Sequence, residues 1–455
     1  MESTTSTTSK GPETSELRAI LKTFLPLAFA YVASVAIGLA DSLMLGRVGP
    51  EVLGAAGIAL SVYVITIITG IGLSFPVMVL VSQARGAGRS RTVPIIIRQG
   101  LWIAGIFSIP GCAILWNLEE ILLATGQVPE LARMAGHYMN YLLWALPMNL
   151  VSYVFTCAFI AMGWSGTIAV LSWFAVGINI VLDYVLIFGK FGAPAMGIAG
   201  AGLASVITYV ACFALFFAIL FFRLPRDGAM IFHRIWKPNR TMLARLARLG
   251  WPKTLELLME SGLYSVTALL AGWFGTQAIA AHTIAYQINI VFGVVVSAAL
   301  AKAVTTRIGI AKGQKDHAAM WRIVNSGLLL FFSLVLPLVV VLGAFPSWAV
   351  TLFVGTGPEA EALLPIATPL IVLIAFFVLV DGLHDIAGHA LNGLSDMKVP
   401  ALIAGISYWG IGLSGAVILG FAMELGVLGL WVGVTIGMAI AAVVCLGRFR
   451  WMVYR

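Results

Sequence analysis

Charge is what this sequence has least of. Asp, Glu, Lys and Arg make up 10% of its 455 residues and apolar types 60%, whereas a water-soluble globular chain is about a quarter charged. Water is therefore not its main solvent. Cysteine is equally sparse. Cys112, Cys157, Cys212 and Cys445 all lie inside apolar runs without metal-ligand spacing, so they are read as small hydrophobes and no disulfide is assigned. The apolar runs do not alternate with polar residues, which excludes an outer-membrane barrel. No Walker sequence, cysteine-histidine zinc cluster or Gly-x-Ser-x-Gly elbow occurs, so neither an enzyme nor a cofactor is expected.

Long apolar runs are plentiful. Leu101 to Leu115, Leu142 to Met162, Met196 to Phe222, Gly327 to Phe345, Leu363 to Val380 and Val427 to Leu446 approach or exceed the roughly 17 to 25 residues an α-helix needs to cross a bilayer. The pattern predicts an all-α membrane protein with spans near 19–46, 52–82, 93–117, 132–161, 166–189, 198–222, 251–273, 277–304, 319–344, 361–390, 398–420 and 427–447. Residues 1–18 read as a disordered tail without a cleavable signal, and 448–455 as a second tail.

The net charge of +8 is judged by where it sits, and no nucleic-acid partner is inferred from it. Only Arg47, Arg133 and Lys190 fall in or beside odd-numbered loops; the remaining basic residues occupy tails, even-numbered loops and adjoining helix ends. Both termini are accordingly expected in the cytoplasm. The longest connection, 223–250, holds seven basic residues against Asp227, and its Thr241–Leu249 part reads as an interfacial helix on an anionic leaflet.

That linker divides the spans six and six, and the two sets resemble each other. Leu53-Gly-Ala-Ala-Gly-Ile-Ala59 matches Ile279-Ala-Ala-His-Thr-Ile-Ala285, and Pro26 matches Pro252, at an offset of 226. Gly197-Ile-Ala-Gly200 matches Gly426-Val-Leu-Gly429, and Ala161-Met-Gly-Trp-Ser165 matches Leu391-Asn-Gly-Leu-Ser395, at 229 and 230. An even number of spans per copy makes these parallel repeats, an N-terminal bundle over 19–222 and a C-terminal bundle over 251–447. Transporters commonly bind substrate between such halves.

The informative residues are the carboxylates inside the spans: Asp41, Asp183, Glu256, Glu260, Asp381 and Asp385. A charge at the bilayer centre costs about 2.5–3.5 kcal/mol even on insertion scales, so such residues usually face a pathway. No Lys or Arg is expected deep beside them; Lys253, one turn from Glu256, lies nearest and offers it a partner. A dry, unpaired acid either holds a proton or binds a cation, and a site that is wet in one conformation and dry in another changes that affinity with conformation. Asn179 and Asp183 share a helix face, as do Glu256 with Glu260, and Asp381 with His384 and Asp385. Like charges this close disfavour double ionisation, so one acid of each pair is expected to be protonated. Capping or helix contact is the structural alternative for each acid, and for the histidines. Tyr286 and Trp431 offer aromatic surface to a cationic compound, with packing as the alternative.

Several of these residues carry a resemblance. Pro26 with Asp41, Gly86-Ala-Gly88, Asn179-Ile-Val-Leu-Asp183, Gly197-Ile-Ala-Gly-Ala-Gly-Leu-Ala-Ser205, Pro252 with Glu260, Asp381, Leu391-Asn-Gly393 and Gly429-Leu-Trp-Val-Gly433 together resemble the multidrug and toxic compound extrusion (MATE) family, in its bacterial NorM-like branch, over about 17–447. The resemblance implies a V-shaped pair of six-helix bundles in a bacterial inner membrane, acting as a monomer. It also implies export of amphiphilic, often cationic, organic compounds in exchange for H+ or Na+, with no other metal or cofactor. By position it assigns Asp41, Asn179, Asp183 and Ser205 to an ion-responsive cluster of the first bundle, and Glu260 and Asp381 to an acidic pair of the second. Glu256, His384, Asp385, Tyr286 and Trp431 are candidate cavity residues. The rival readings are a dedicated exporter or flippase of one amphiphile and, from another class, an intramembrane enzyme or receptor.

Overall fold

The computed structural model describes residues 12–223 and 237–454. Within these residues the chain is helical, with no strand. The first half consists of α1 (Pro12–Val48), α2 (Pro50–Ser74), α3 (Pro76–Gly86), α4 (Val93–Trp116), the short α5 (Leu118–Ala124), α6 (Pro129–Leu142), α7 (Ala145–Met162), α8 (Ser165–Phe188) and α9 (Ile198–Arg223). The second consists of α10 (Arg240–Trp273), α11 (Thr276–Phe292), α12 (Ala298–Gln314), α13 (His317–Ala344), α14 (Pro346–Val354), α15 (Pro358–Gly393), α16 (Lys398–Ala404), α17 (Ser414–Val417) and α18 (Gly426–Tyr454).

Proline and glycine punctuate these helices for local reasons. Pro76 lacks an N–H and crowds the carbonyl four residues back, so α2 and α3 meet at a joint at Phe75. Pro147 lies four residues after Leu143, at the joint between α6 and α7, where the Cys112 thiol reaches the Leu143 carbonyl at 3.6 Å. Gly189 ends α8 in the left-handed region at φ 65°, and a Cβ there would come within 2.6 Å of the Ala195 nitrogen. Asn239 and Asp316 cap α10 and α13 by accepting from the Met242 and Ala319 amides. Five-residue turns replace α-helix over Gly293–Ser297, joining α11 to α12, and over Gly405–Leu413 and Ile418–Ala422.

Eleven helical segments among the described residues are long and apolar enough to cross a membrane, against the twelve expected. The difference is α10, which is long enough but carries Lys253, Glu256 and Glu260. Thr241–Leu249, expected as an interfacial helix, forms the opening turns of this helix, continuous with the rest and with Pro252 inside it. Most of the basic linker, 224–236, lies outside the described residues, as do 1–11. The expected tails are shorter than 1–18 and 448–455. Helix α1 is under way at Pro12, and its Glu16 pairs with Arg307 at 2.7 Å. Helix α18 continues to Tyr454, with Arg448 paired to Asp396 and Phe449 buried against Trp321.

Each half packs mainly on itself, α1 with α8 and α9 with α7 and α8 in the first, α15 with α12, α13 and α18 in the second. The halves meet where α2 lies on α10 and α3 on α12. This seam is made by glycines that bring backbones together. A Cβ on Gly86 would stand 2.1 Å from the Ile310 carbonyl oxygen, one on Gly313 2.3 Å from that of Gln83, and one on Gly250 2.5 Å from that of Leu73. The Gln83 amide donates across it to the Gly393 carbonyl and the Ser395 hydroxyl, each at 2.8 Å. The seam joins the end of α3 to the end of α12 and the start of α10, so the halves are closed at the end of the molecule where α1 begins and α9 ends.

Candidate functional site

In the first half, α1 and α8 pack side by side and bring Asp41 against Asn179 and Asp183. The two α8 residues are one turn apart and both are buried, Asp183 completely. With its nitrogen facing the carboxyls, the Asn179 amide donates to Asp41 Oδ1 at 3.0 Å and to Asp183 Oδ2 at 3.2 Å. The two carboxyls are near enough to act on each other as neighbouring charges. Among the described residues no base forms a salt bridge with either acid, and Asp183 Oδ1 has no hydrogen-bond donor. Ser205, on α9, is buried but does not hydrogen-bond to the cluster. A cavity of about 170 Å³ between α1, α7, α8 and α9 is lined by Ser34, Asn149, Tyr153, Thr156, Ser172 and Tyr209, and Tyr209 is also an electrostatic neighbour of Asp41.

The second half arranges its acids differently. On α10, Lys253 Nζ lies 2.8 Å from Glu256 Oε1, with both side chains at most 5% exposed. This contact decides between the readings of Glu256: it is half of a buried ion pair, not one of two like charges facing each other alone. Lys253 also stands over the Phe75 ring of the first half, 5.3 Å from its centre. Asp381, on α15, is buried and is an electrostatic neighbour of Tyr264, whose hydroxyl accepts from the Asn289 amide at 3.3 Å. Gly293, at the five-residue turn, lies beside it: a Cβ there would stand at ordinary contact distance, 3.5 Å from Asp381 Oδ2. Glu260 is half-buried and an electrostatic neighbour of Asp381.

The remaining candidates divide. Tyr408, fully buried in the Gly405–Leu413 turn, places its hydroxyl 3.0–3.1 Å from the ring nitrogens of His384. Asp385 is half-buried and makes no salt bridge among the described residues, while its carbonyl accepts from or faces His389 Nδ1 at 3.1 Å. Trp431 is completely buried and donates to His282 Nδ1 at 3.2 Å, and Tyr286 stacks on the same histidine. These two rings back Tyr264, at 6.4 and 5.4 Å between centroids, and make no direct contact with Asp381.

Lys253, the partner that the sequence offered to Glu256, is buried with it, and a further base lies within a helix: Lys302 donates to the Tyr31 hydroxyl of the first half, with the Tyr31 and Tyr153 rings 5.0 and 5.5 Å away. The eighth span was expected to stop at 304, but α12 continues to Gln314. Twelve further residues at 1.5 Å each place Lys302 about 18 Å from the helix end. The signal was legible in the sequence, since nothing between Val304 and Gly309 interrupts a helix.

The comparisons with known proteins agree with this architecture. The MatE family model matches residues 26–185 and 252–418. The chain is 33% identical to a probable multidrug resistance protein NorM of Agrobacterium fabrum, covering 97% of this chain and 95% of that one. It is 31% identical to a Synechocystis protein of the same name, again over 97% and 95%. Among solved structures, a MATE transporter in an outward-facing conformation superposes with a TM-score of 0.87 at 21% identity, covering 96% of each chain. A MATE protein in a bent conformation superposes equally well at 20% identity, over 97% and 98%. Matched by this family model over most of its length and by relatives of more than 30% identity along nearly all of it, this chain belongs to the MatE family of membrane transporters.

Proposed function

We propose that this protein is a secondary active multidrug exporter of the bacterial inner membrane, which releases amphiphilic, often cationic, organic compounds in exchange for H+ or Na+. The observation that carries the reading is the Asp41–Asn179–Asp183 cluster: two neighbouring acids bridged by one amide, with no salt-bridge partner among the described residues. Its charge is set by whatever small cation occupies it, and exchange needs only that this occupancy differ between two conformations. Lys253 and Lys302, which lie within helices near the seam, are engaged by Glu256 and by Tyr31, which gives little support to a flippase of anionic headgroups. On this reading the protein works as a monomer with both termini in the cytoplasm, and the glycine seam closes the cytoplasmic end.

The test is transport by purified protein in liposomes, with a pH gradient and a sodium gradient imposed separately. Uptake of a fluorescent organic cation driven by either gradient supports the proposal and identifies the ion. Equal uptake without any gradient overturns it.

A further inference from the structure

A second site lies at the closed end, away from the acids. A cavity of about 360 Å³ opens between the halves, with Gln83, Ala87, Arg89 and Thr92 on the first side and Arg245, Lys312 and Lys315 on the second. Four of its lining residues are basic and none is acidic. Among the described residues Arg89, Arg245 and Lys315 form no salt bridge. Lys312 bonds the Leu394 carbonyl, and the nearest acid acting on it, Asp396, is engaged by Arg448 at 3.0 Å. Lys312 and Arg245 instead act on each other as like charges. The volume falls at the small end of cavities that hold a small ligand.

We propose that this cavity binds a phosphate-bearing anion and that the bound anion holds this end of the molecule closed. Convergent cations without counter-charge suit phosphate oxygens, and Arg adds paired N–H donors to the attraction. The walls come from different halves and the floor is the seam itself, where Gly313 meets Gln83 and Ala87. Separating the halves therefore takes the site apart, whereas closing them without an anion brings Arg89 towards three like charges. A ligand that binds only the assembled site shifts the population towards it. The cavity sits at the ends of α3 and α12, where spanning helices meet the interface, so a phospholipid headgroup is the favoured source over a free phosphate. The inference does not depend on the coupling ion or on the substrate.

The experiment compares wild-type protein with the double variant Arg89→Gln/Arg245→Gln, one charge from each half, and with Arg89→Lys/Arg245→Lys as the charge-retaining control. Native mass spectrometry reads the bound fraction with phosphatidylglycerol, phosphatidylcholine or inorganic phosphate. Spin labels at Ser90→Cys and Gln314→Cys read closure of the end in nanodiscs. The wild type should retain phosphatidylglycerol and close further in its presence, and the Gln variant should bind about 30-fold more weakly. The Lys variant should keep most of the binding and closure. A response to inorganic phosphate as well as to lipid supports the site and identifies its source as soluble. Equal binding and closure in wild-type and Gln proteins, or no response to either anion, overturns the proposal, and native-like retention of the Lys variant guards against a folding defect.

Discussion

The two halves descend from one pattern yet treat their buried acids in opposite ways. Asp41 and Asp183 in the first are bridged by an amide and have no salt-bridge partner among the described residues, so their net charge can change. Glu256 in the second is already answered by Lys253 at 2.8 Å. A buried ion pair is costly to disturb, since removing one partner strands the other. The difference suggests a division of labour: the first half offers a site whose occupancy varies, while the second has a fixed pair on α10 beside the Phe75 joint and leaves Asp381, Asp385 and Glu260 to respond.

The sharpest way to break this contrast is Asp41→Asn. An amide keeps the shape but cannot change charge, so transport should fall to background, about 100-fold or more, at unchanged expression, as about 3 kcal/mol of lost coupling implies. Resistance assays with a membrane-abundance control check it, and full retained resistance would remove the first half from the mechanism. In the second half the larger effect should be on stability. Lys253→Met alone leaves Glu256 buried and unpaired and should cost about 3–5 kcal/mol. Adding Glu256→Leu should restore most of that loss, because an apolar pair of similar volume is often neutral. Thermal unfolding of the two variants reads the difference; equal destabilisation by both would mean that the pair matters through packing alone.

How much of this was readable from sequence follows from the physics of each feature. The spans and the pairing of Asn179 with Asp183 on one helix face rest on local periodicity and on rare charges in apolar runs, which a single sequence displays, whereas Asp41 joins that pair in the sequence only through the family resemblance. What was lost depended on neighbours far along the chain. Lys302 looks like a helix-end anchor until α12 is seen to run on to Gln314, and Tyr31, its partner, lies 271 residues away. The seam glycines 86, 250 and 313 are unremarkable until a facing backbone gives them a reason. Tyr264, Asn289 and Tyr408 carry no charge to single them out, yet Tyr264 neighbours Asp381 and bonds Asn289, and Tyr408 bonds His384.

Smaller effects sharpen the contrast further. Asn179→Leu removes two hydrogen bonds to the acids but neither acid, so exchange should weaken about 10-fold, the scale of one charge-assisted bond at about 1.5 kcal/mol. Proteoliposome flux at matched gradients measures it, and a loss as complete as that of Asp41→Asn would make the amide itself a ligand of the ion.

The smallest effect is expected at Tyr408→Phe. The hydroxyl serves one partner, His384, and both residues are buried. Removing it should cost about 1 kcal/mol of stability and leave transport within about twofold, because the loss is of one neutral hydrogen bond. His384→Leu on the same background should add little, since deleting both partners leaves neither unsatisfied. A flux loss beyond about tenfold in Tyr408→Phe, with stability intact, would instead place His384 on the ion pathway. The responsive groups of the second half would then extend beyond Asp381, Asp385 and Glu260, and the contrast between the halves would narrow to the Lys253–Glu256 pair alone.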